Sequence, residues 1–271
     1  VDEVIGYNSH FFSRGMAPTN LRQIHEIFCR LQDKQYDLLI DLRGDWVTVA
    51  FALWVNIPYR LDRSYLQIGH KIGLNGYKEL HESARNLNLL RSVQIPTPVC
   101  TADFHTKKPA KLWADNYLEK LEDPSNLLRV AIHAGSPIAA KRWPTKRFAE
   151  LIDWLIFHHQ AQVFLVGVKS ELPINSEIEN RIKKKAFNIV GETNLQQLAE
   201  LLRRCNLFIG NDSAPMHISA TVGTQTIGLY GASSPNRFCP IGPNRATIAR
   251  ESMNQIRVLD VVSVIDSLVL T

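Results

Sequence analysis

Two stretches collect residue types able to hold an anion. The first is Gly135-Ser136-Pro137 followed by Lys141-Arg142-Trp143-Pro144. The second is Asn211-Asp212-Ser213-Ala214-Pro215-Met216-His217. Each follows a short apolar run, LLRVAIHA (127 to 134) or NLFIG (206 to 210), and each leads into a segment of helical periodicity. Cations and the free N–H groups at a helix start are the groups that bind phosphate. Plainer readings stand beside this one. Ser136 and Pro137 serve equally as turn residues. Asp212 and Ser213 are good N-caps, and taken alone capping explains them better. His217 alone fits a satisfied, partly buried histidine. Lys141 and Arg142 are harder to explain structurally. Cations before a helix N-terminus are not helped by the dipole unless an anion lies between them and the amides. His158-His159 read as structural, with no second ligand at i+4. The Asn211-Asp212-Ser213 glycosylation pattern reads as accidental.

Missing motifs narrow the chemistry. The sequence has no GxxxxGK[ST], no GxGxxG after a strand, no GxSxG and no HExxH; LHESAR (80 to 85) has only the first letters of the last. A P-loop enzyme and a dinucleotide oxidoreductase are therefore not expected, and no carboxylate cluster suggests a metal. The 271 residues permit one large domain or two ordinary ones. With 45% hydrophobic and 21% charged residues the chain is globular and not disordered. A formal net charge of +5 favours anionic ligands or a membrane surface but is too small and dispersed for nucleic acid. The Lys183-Lys184-Lys185 run reads as a solvated helix end. Cys29, Cys100, Cys205 and Cys239 are far apart, as expected for reduced thiols in a cytoplasmic protein. No apolar run reaches the roughly 18 to 20 residues of a spanning helix. The chain begins at Val1 inside a strand-like segment, VDEVIGY, as expected of a fragment or a processed chain.

The elements that must position these residues alternate along the chain. Thr19 can cap a helix with Leu21, Ile24, Ile27, Phe28 and Leu31 on one face. YDLLIDL (36 to 42) reads as a strand, 46 to 55 as a helix, 57 to 63 as a strand, 67 to 76 as a Gly-containing loop and 79 to 92 as a helix. The interval 95 to 126 holds the domain boundary, with a helix near 112 to 122 and a turn at Asp123-Pro124-Ser125. In the second half, strands are expected at 127 to 134, 161 to 167, 187 to 191, 206 to 210 and 224 to 231. Helices are expected from Pro144, over 176 to 185, after a Thr193/Gln196 capping box, and over 213 to 222 closed by Gly223. The alternation argues a parallel sheet covered on both faces. Ligands then sit outside the carboxyl ends of the strands, where both cationic stretches fall.

Taken together, IHAGSPIAAKRWPTKRFAEL (132 to 151) and the segment 191 to 243, with its GNDSAPMH turn and GLYG strand, resemble the donor-binding half of glycosyltransferase family 9. Its members are the heptosyltransferases of the bacterial lipopolysaccharide inner core. The likeness extends more weakly over 1 to 95, through YDLLIDLRGD. The resemblance implies an α/β, GT-B fold, two Rossmann-like domains facing across a cleft, with the N-terminal domain truncated. It implies an acceptor-binding domain over 1 to 110, a linker over 111 to 126, a donor domain over 127 to 257 and a C-terminal helix over 258 to 271. It further implies metal-independent, inverting transfer of a sugar from a nucleotide diphosphate donor, ADP-heptose in the best-known members, to a lipid-linked lipopolysaccharide core acceptor. No cofactor is implied. The setting is the cytoplasm, with peripheral contact at the inner face of the inner membrane.

Carried over by motif, Ser136, Lys141, Asp212, Ser213, Ala214 and His217 line the donor site, and the amides at 213 to 215 cradle the diphosphate. Lys141 offsets the charge on the leaving diphosphate, in place of a metal. Lys169 or Glu171 reaches the nucleoside. The sequence also departs from the family. The Gly-Asp loop that supplies the general base is absent and belongs upstream of Val1. Val47 stands where a basic residue is frequent, with Arg43 as a nearby substitute on the acceptor side. The Pro-Ile-Ala-Ala segment before Lys141 is apolar. The missing base motivates an alternative, a nucleotide-sugar-binding protein without transferase activity. A GT-B enzyme using a UDP or GDP sugar, or a nucleotide-sugar epimerase, is a third reading.

Overall fold

The computed structural model describes residues 21–63, 80–97, 102–121, 127–231 and 233–269, with Glu3 and Ile5. The expected cap at Thr19, the loop at 67 to 76 and the turn at 123 to 125 lie outside the described residues. So does the strand-like start, apart from Glu3 and Ile5. The chain divides into two units, Val1–Cys100 and Thr101–Thr271.

In the first unit, helix α1 (Leu21–Asp33) is followed by strand β1 (Leu38–Asp41), helix α2 (Trp46–Val55), strand β2 (Tyr59–Asp62) and helix α3 (Glu82–Arg91). The two strands pair in parallel, Leu38 opposite Tyr59. Helix α2 starts where Asp45 accepts from the N–H groups of Val47 and Thr48, and ends at Asn56 in the left-handed region. It buries Val49, Ala52 and Val55, and its exposed Trp54 stacks on Phe28 of α1 at 4.2 Å.

In the second unit, the helix expected near 112 to 122, within the span read as linker, is α4 (Lys108–Glu119), which starts four residues earlier. Pro109 sits in its first turn, where a missing N–H costs nothing. Ala110, Ala114 and Leu118 then form a buried stripe at i, i+4, i+8. Strands β3 (Arg129–His133), β4 (Gln162–Leu165), β5 (Phe187–Asn188), β6 (Leu207–Asn211), β7 (Gln225–Tyr230) and β8 (Arg245–Ala249) make one parallel sheet, ordered β5-β4-β3-β6-β7-β8. Helices α5 (Thr145–His159), α6 (Leu172–Glu179), α7 (Leu195–Arg203), α8 (Ala214–Thr221), a one-turn α9 (Pro235–Phe238) and α10 (Val258–Val269) complete the unit.

The sheet is buried on both sides. Val130, Ile132, Val163, Leu165, Ile209 and Leu229 pack under Phe148, Leu151 and Leu155 of α5 and Val261 and Ile265 of α10. Ala131, Phe164 and Phe208 face the other way, onto Leu198 and Leu202 of α7, Met216 of α8 and Leu118 of α4. That is why the strands read as continuous apolar runs without alternation.

Three local expectations shift. Helix α6 covers 172 to 179, because Pro173 supplies its first turn; the lysine run lies beyond it, where the Lys183 N–H is held by Asp153 at 2.8 Å. The capping box before α7 is Asn194/Gln197, one residue past the expected pair. Strand β8 carries no periodic signal and is added at the sheet edge. Among the described residues no helix is long and apolar enough to cross a membrane.

Candidate functional site

The strand order fixes where a ligand crevice must lie. From β3 the chain winds outward through β4 and β5, then returns to β6 on the other side of β3. The loops after β3 and β6 diverge at this reversal, outside the strand carboxyl ends. They are the two stretches that carry the candidate chemistry.

Asn211, the last residue of β6, pins them together. Its amide nitrogen donates to the carbonyls of Ala134 (2.8 Å) and Gly135 (3.2 Å), and its side-chain oxygen accepts the Trp143 N–H (3.0 Å). It is fully buried, which removes it as a glycosylation acceptor in the folded chain. Trp143 is buried as well, its indole N–H bonded to the Ile256 carbonyl at 2.9 Å and its ring edge-on to Phe148. The Trp of this motif is a core anchor that holds Lys141 in place.

Lys141 ends a 3-10 turn, Ala139–Lys141, and places its ammonium 2.6 Å from Asp212 Oδ2. The same ammonium lies 5.5 Å from the Phe238 ring centroid, within cation–π range. His217, one turn into α8, brings Nε2 to 3.8 Å from the other Asp212 oxygen and remains 42% exposed at its side chain. Burial pushes the Asp212 carboxyl up, but nearby His217, the Lys141 hydrogen bond and charge and Ser233 outweigh it. The carboxyl is held down at about 2 against an ordinary 3.8.

A depressed folded-state value means that ionised Asp212 stabilises the fold at neutral pH. That contribution is complete above about pH 4 and is lost as pH falls through about 2. Denaturant titrations between pH 5 and 2 should therefore show a steeper loss of stability for the native chain than for Asp212→Asn. Parallel curves would mean that Asp212 is not held in this way.

The remaining expected residues are placed differently. Ser136 is buried; its hydroxyl accepts the Ile138 N–H (3.2 Å) and its carbonyl accepts from Arg142 Nε (2.7 Å), so Arg142 braces the loop. Ser213 occupies the N-cap position of α8 yet makes no cap bond. Its hydroxyl lies 2.8 Å from His133 Nδ1 and 3.0 Å from the Asn211 carbonyl. Asp212 and Ser213 are thus not caps, and the first turn of α8 has no side-chain cap. The expected cradle of amides at 213 to 215 also needs correction, because Pro215 has no N–H. The donors at this turn are Ser213, exposed Ala214 and Met216. Lys169 is exposed on the turn after β4, whereas Glu171 turns inward: Oε2 accepts from His133 Nε2 (3.1 Å) and from the Val168 N–H (2.9 Å). Arg43 lies in the first unit, after β1, ion-paired with Asp45.

Sequence reasoning passed over His133, although a histidine closing an apolar strand run is itself a signal. It also passed over Phe238, at the end of the one-turn helix α9 that follows β7. Among the described residues, no group of three or more His, Cys, Asp and Glu side chains is arranged to hold a metal.

Comparison with known proteins gives the following. The family model "Glycosyltransferase family 9 (heptosyltransferase)" matches residues 24–261. The lipopolysaccharide core heptosyltransferase OpsX of Haemophilus influenzae is 36% identical over 238 residues, covering 82% of this chain and 65% of the relative. The chain spans between 33% and 66% of the length of the curated heptosyltransferases it matches. Among solved structures, a family 9 glycosyltransferase from Veillonella parvula superposes with a TM-score of 0.81 at 20% identity, over 92% of this chain and 78% of its own. E. coli ADP-heptose lps heptosyltransferase II superposes with 0.74 at 24% identity, over 94% and 82%. These likenesses carry the fold, which is GT-B, built from two Rossmann-like units.

Proposed function

The chain belongs to glycosyltransferase family 9, and from that premise we propose that its second unit binds a nucleotide-diphosphate sugar for transfer to a lipopolysaccharide core acceptor. The observation that carries this reading is the Lys141–Asp212–His217 cluster beside the uncapped start of α8, at the reversal between β3 and β6. An ammonium, an imidazole and the backbone N–H groups of a helix start without a side-chain cap are what a diphosphate requires. Asp212 itself repels phosphate. Its role is to hold the ammonium and the imidazole in position, which its low protonation range supports. In the transfer step, an acceptor hydroxyl oxygen bonds to the anomeric carbon while the bond from that carbon to the diphosphate oxygen breaks. The electron pair leaves with the diphosphate, and the acceptor proton passes to a base. Lys141 meets the charge that grows on the leaving group. The relatives named for heptose transfer and ADP-heptose make heptose the sugar of choice and ADP its carrier. Lys169, exposed on the turn after β4, meets the nucleoside, whereas Glu171 is committed inward, and Arg43 meets the acceptor. The acceptor is lipid-linked, which brings the protein to a membrane surface as a peripheral partner.

A thermal-shift panel of ADP, UDP and GDP tests the donor. The cognate nucleotide at a hundredfold excess over its Kd should add about 2.7 kcal/mol of apparent stability, and the others less. Transfer by the full-length protein from ADP-heptose to a core acceptor tests the reaction. A chain stabilised by ADP but unable to transfer would be a binding protein; one that ignores all three nucleotides has another ligand.

A further inference from the structure

His133 is 2% exposed and bridges two parts of the site. Its Nε2 faces Glu171 and its Nδ1 faces Ser213. Burial raises the Glu171 carboxyl, but the His133 hydrogen bond and charge, the Val168 N–H and Arg142 lower it further, so it stays ionised and only accepts. Nε2 therefore carries a proton. The carboxylate has a built place: a Cβ on Gly135 or on Gly167 would collide with its oxygens. At the other end, the Ser213 hydroxyl has one proton and two inward partners. With a bare Nδ1 the proton goes to the imidazole; with a protonated Nδ1 it goes to the Asn211 carbonyl, which can only accept. Either way it is spent inside the protein.

We propose that His133 is a positioning residue: it commits the Ser213 hydroxyl inward and ties the turn after β4 to the start of α8. Phosphate at that start is then met by backbone N–H groups and Lys141, and not by the Ser213 hydroxyl. This rests on the nucleotide-sugar reading of the site and departs from the role that motif resemblance implies for Ser213.

The test has two arms on the full chain. In the first, the side-chain 15N resonances of His133 are compared between the native chain and Ser213→Ala. The Nδ1 resonance should move, and an unmoved one overturns the link. In the second, ADP affinity is measured by calorimetry. His133→Phe and Ser213→Ala should each weaken binding by about tenfold, and the double variant should be no worse than either. His133→Gln, which keeps a donor and an acceptor, should recover part of the loss. Losses that multiply in the double variant would mean that Ser213 touches the phosphate directly, and the proposal fails. If the native chain binds no nucleoside diphosphate, the nucleotide reading falls, while the Nδ1 response still decides the His133 link.

Discussion

Replacing Lys141 with methionine is expected to slow sugar transfer by the full-length protein by about two to three orders of magnitude, the usual scale for one preorganised group facing developing charge. Neighbouring side chains fix the ammonium in position. Asp212 holds it at 2.6 Å, and Phe238 lies beneath it. Lysine 141 sits on a turn that Trp143 and Asn211 anchor to the core. The substitution also leaves the 6%-exposed Asp212 carboxylate without its cation, so stability should fall as well. The pair Lys141→Met/Asp212→Asn separates the two effects. It removes both charges and should recover stability without recovering transfer. Arginine is not expected to rescue, since its planar fork does not reproduce the compact ammonium held 2.6 Å from Asp212. If the paired variant transfers sugar at the native rate, Lys141 is structural and the assignment is wrong.

Replacing Trp143 with alanine is expected to cost about 3–5 kcal/mol of unfolding free energy, the range for emptying a large aromatic site in a packed core. The ring is 1% exposed, lies among the α5 and α10 side chains, and donates its indole N–H to the Ile256 carbonyl. That carbonyl keeps a second donor, Arg147, so the loss is chiefly one of packing. Trp143→Phe should keep more than half of the stability lost in the alanine variant. Urea denaturation measures both through the shift in midpoint at constant slope. Because the Trp143 backbone N–H also binds Asn211, the alanine variant should loosen the turn that carries Lys141. Nucleotide affinity should fall even where the protein remains folded. A midpoint unchanged from the native chain would contradict the core role.

Much of the architecture was legible in the sequence because it depends on local regularities. Strands covered on both faces show as unbroken apolar runs, and helix starts show through Pro144 or through polar caps. Where two local patterns competed, only packing chose between them. Thr193/Gln196 and Asn194/Gln197 both satisfy the box spacing, and the burial of Leu198, Leu201 and Leu202 selects the second. Pro109 opens a helix, and the buried stripe of Ala110, Ala114 and Leu118 that follows it lies on a helix packed against α7.

The site divides in the same way. Composition and position were enough to place cationic and small polar residues at the carboxyl ends of parallel strands, since loop position follows from element order alone. Their partners were not readable. Lys141 meets Asp212 across 71 positions, and His133 meets Ser213 across 80. Such pairs exist only because β3 and β6 are neighbours in the sheet, an adjacency set by strand order and not by any local signal. The sequence by itself determined which residue types gather at that edge. The tertiary structure decided that Asp212 holds a lysine and that Ser213 turns inward to a buried histidine, which leaves the start of α8 without a side-chain cap. Local chemistry would have made both residues caps; the Lys141 ammonium from the loop after β3 and the His133 imidazole from the end of β3 bind those oxygens instead.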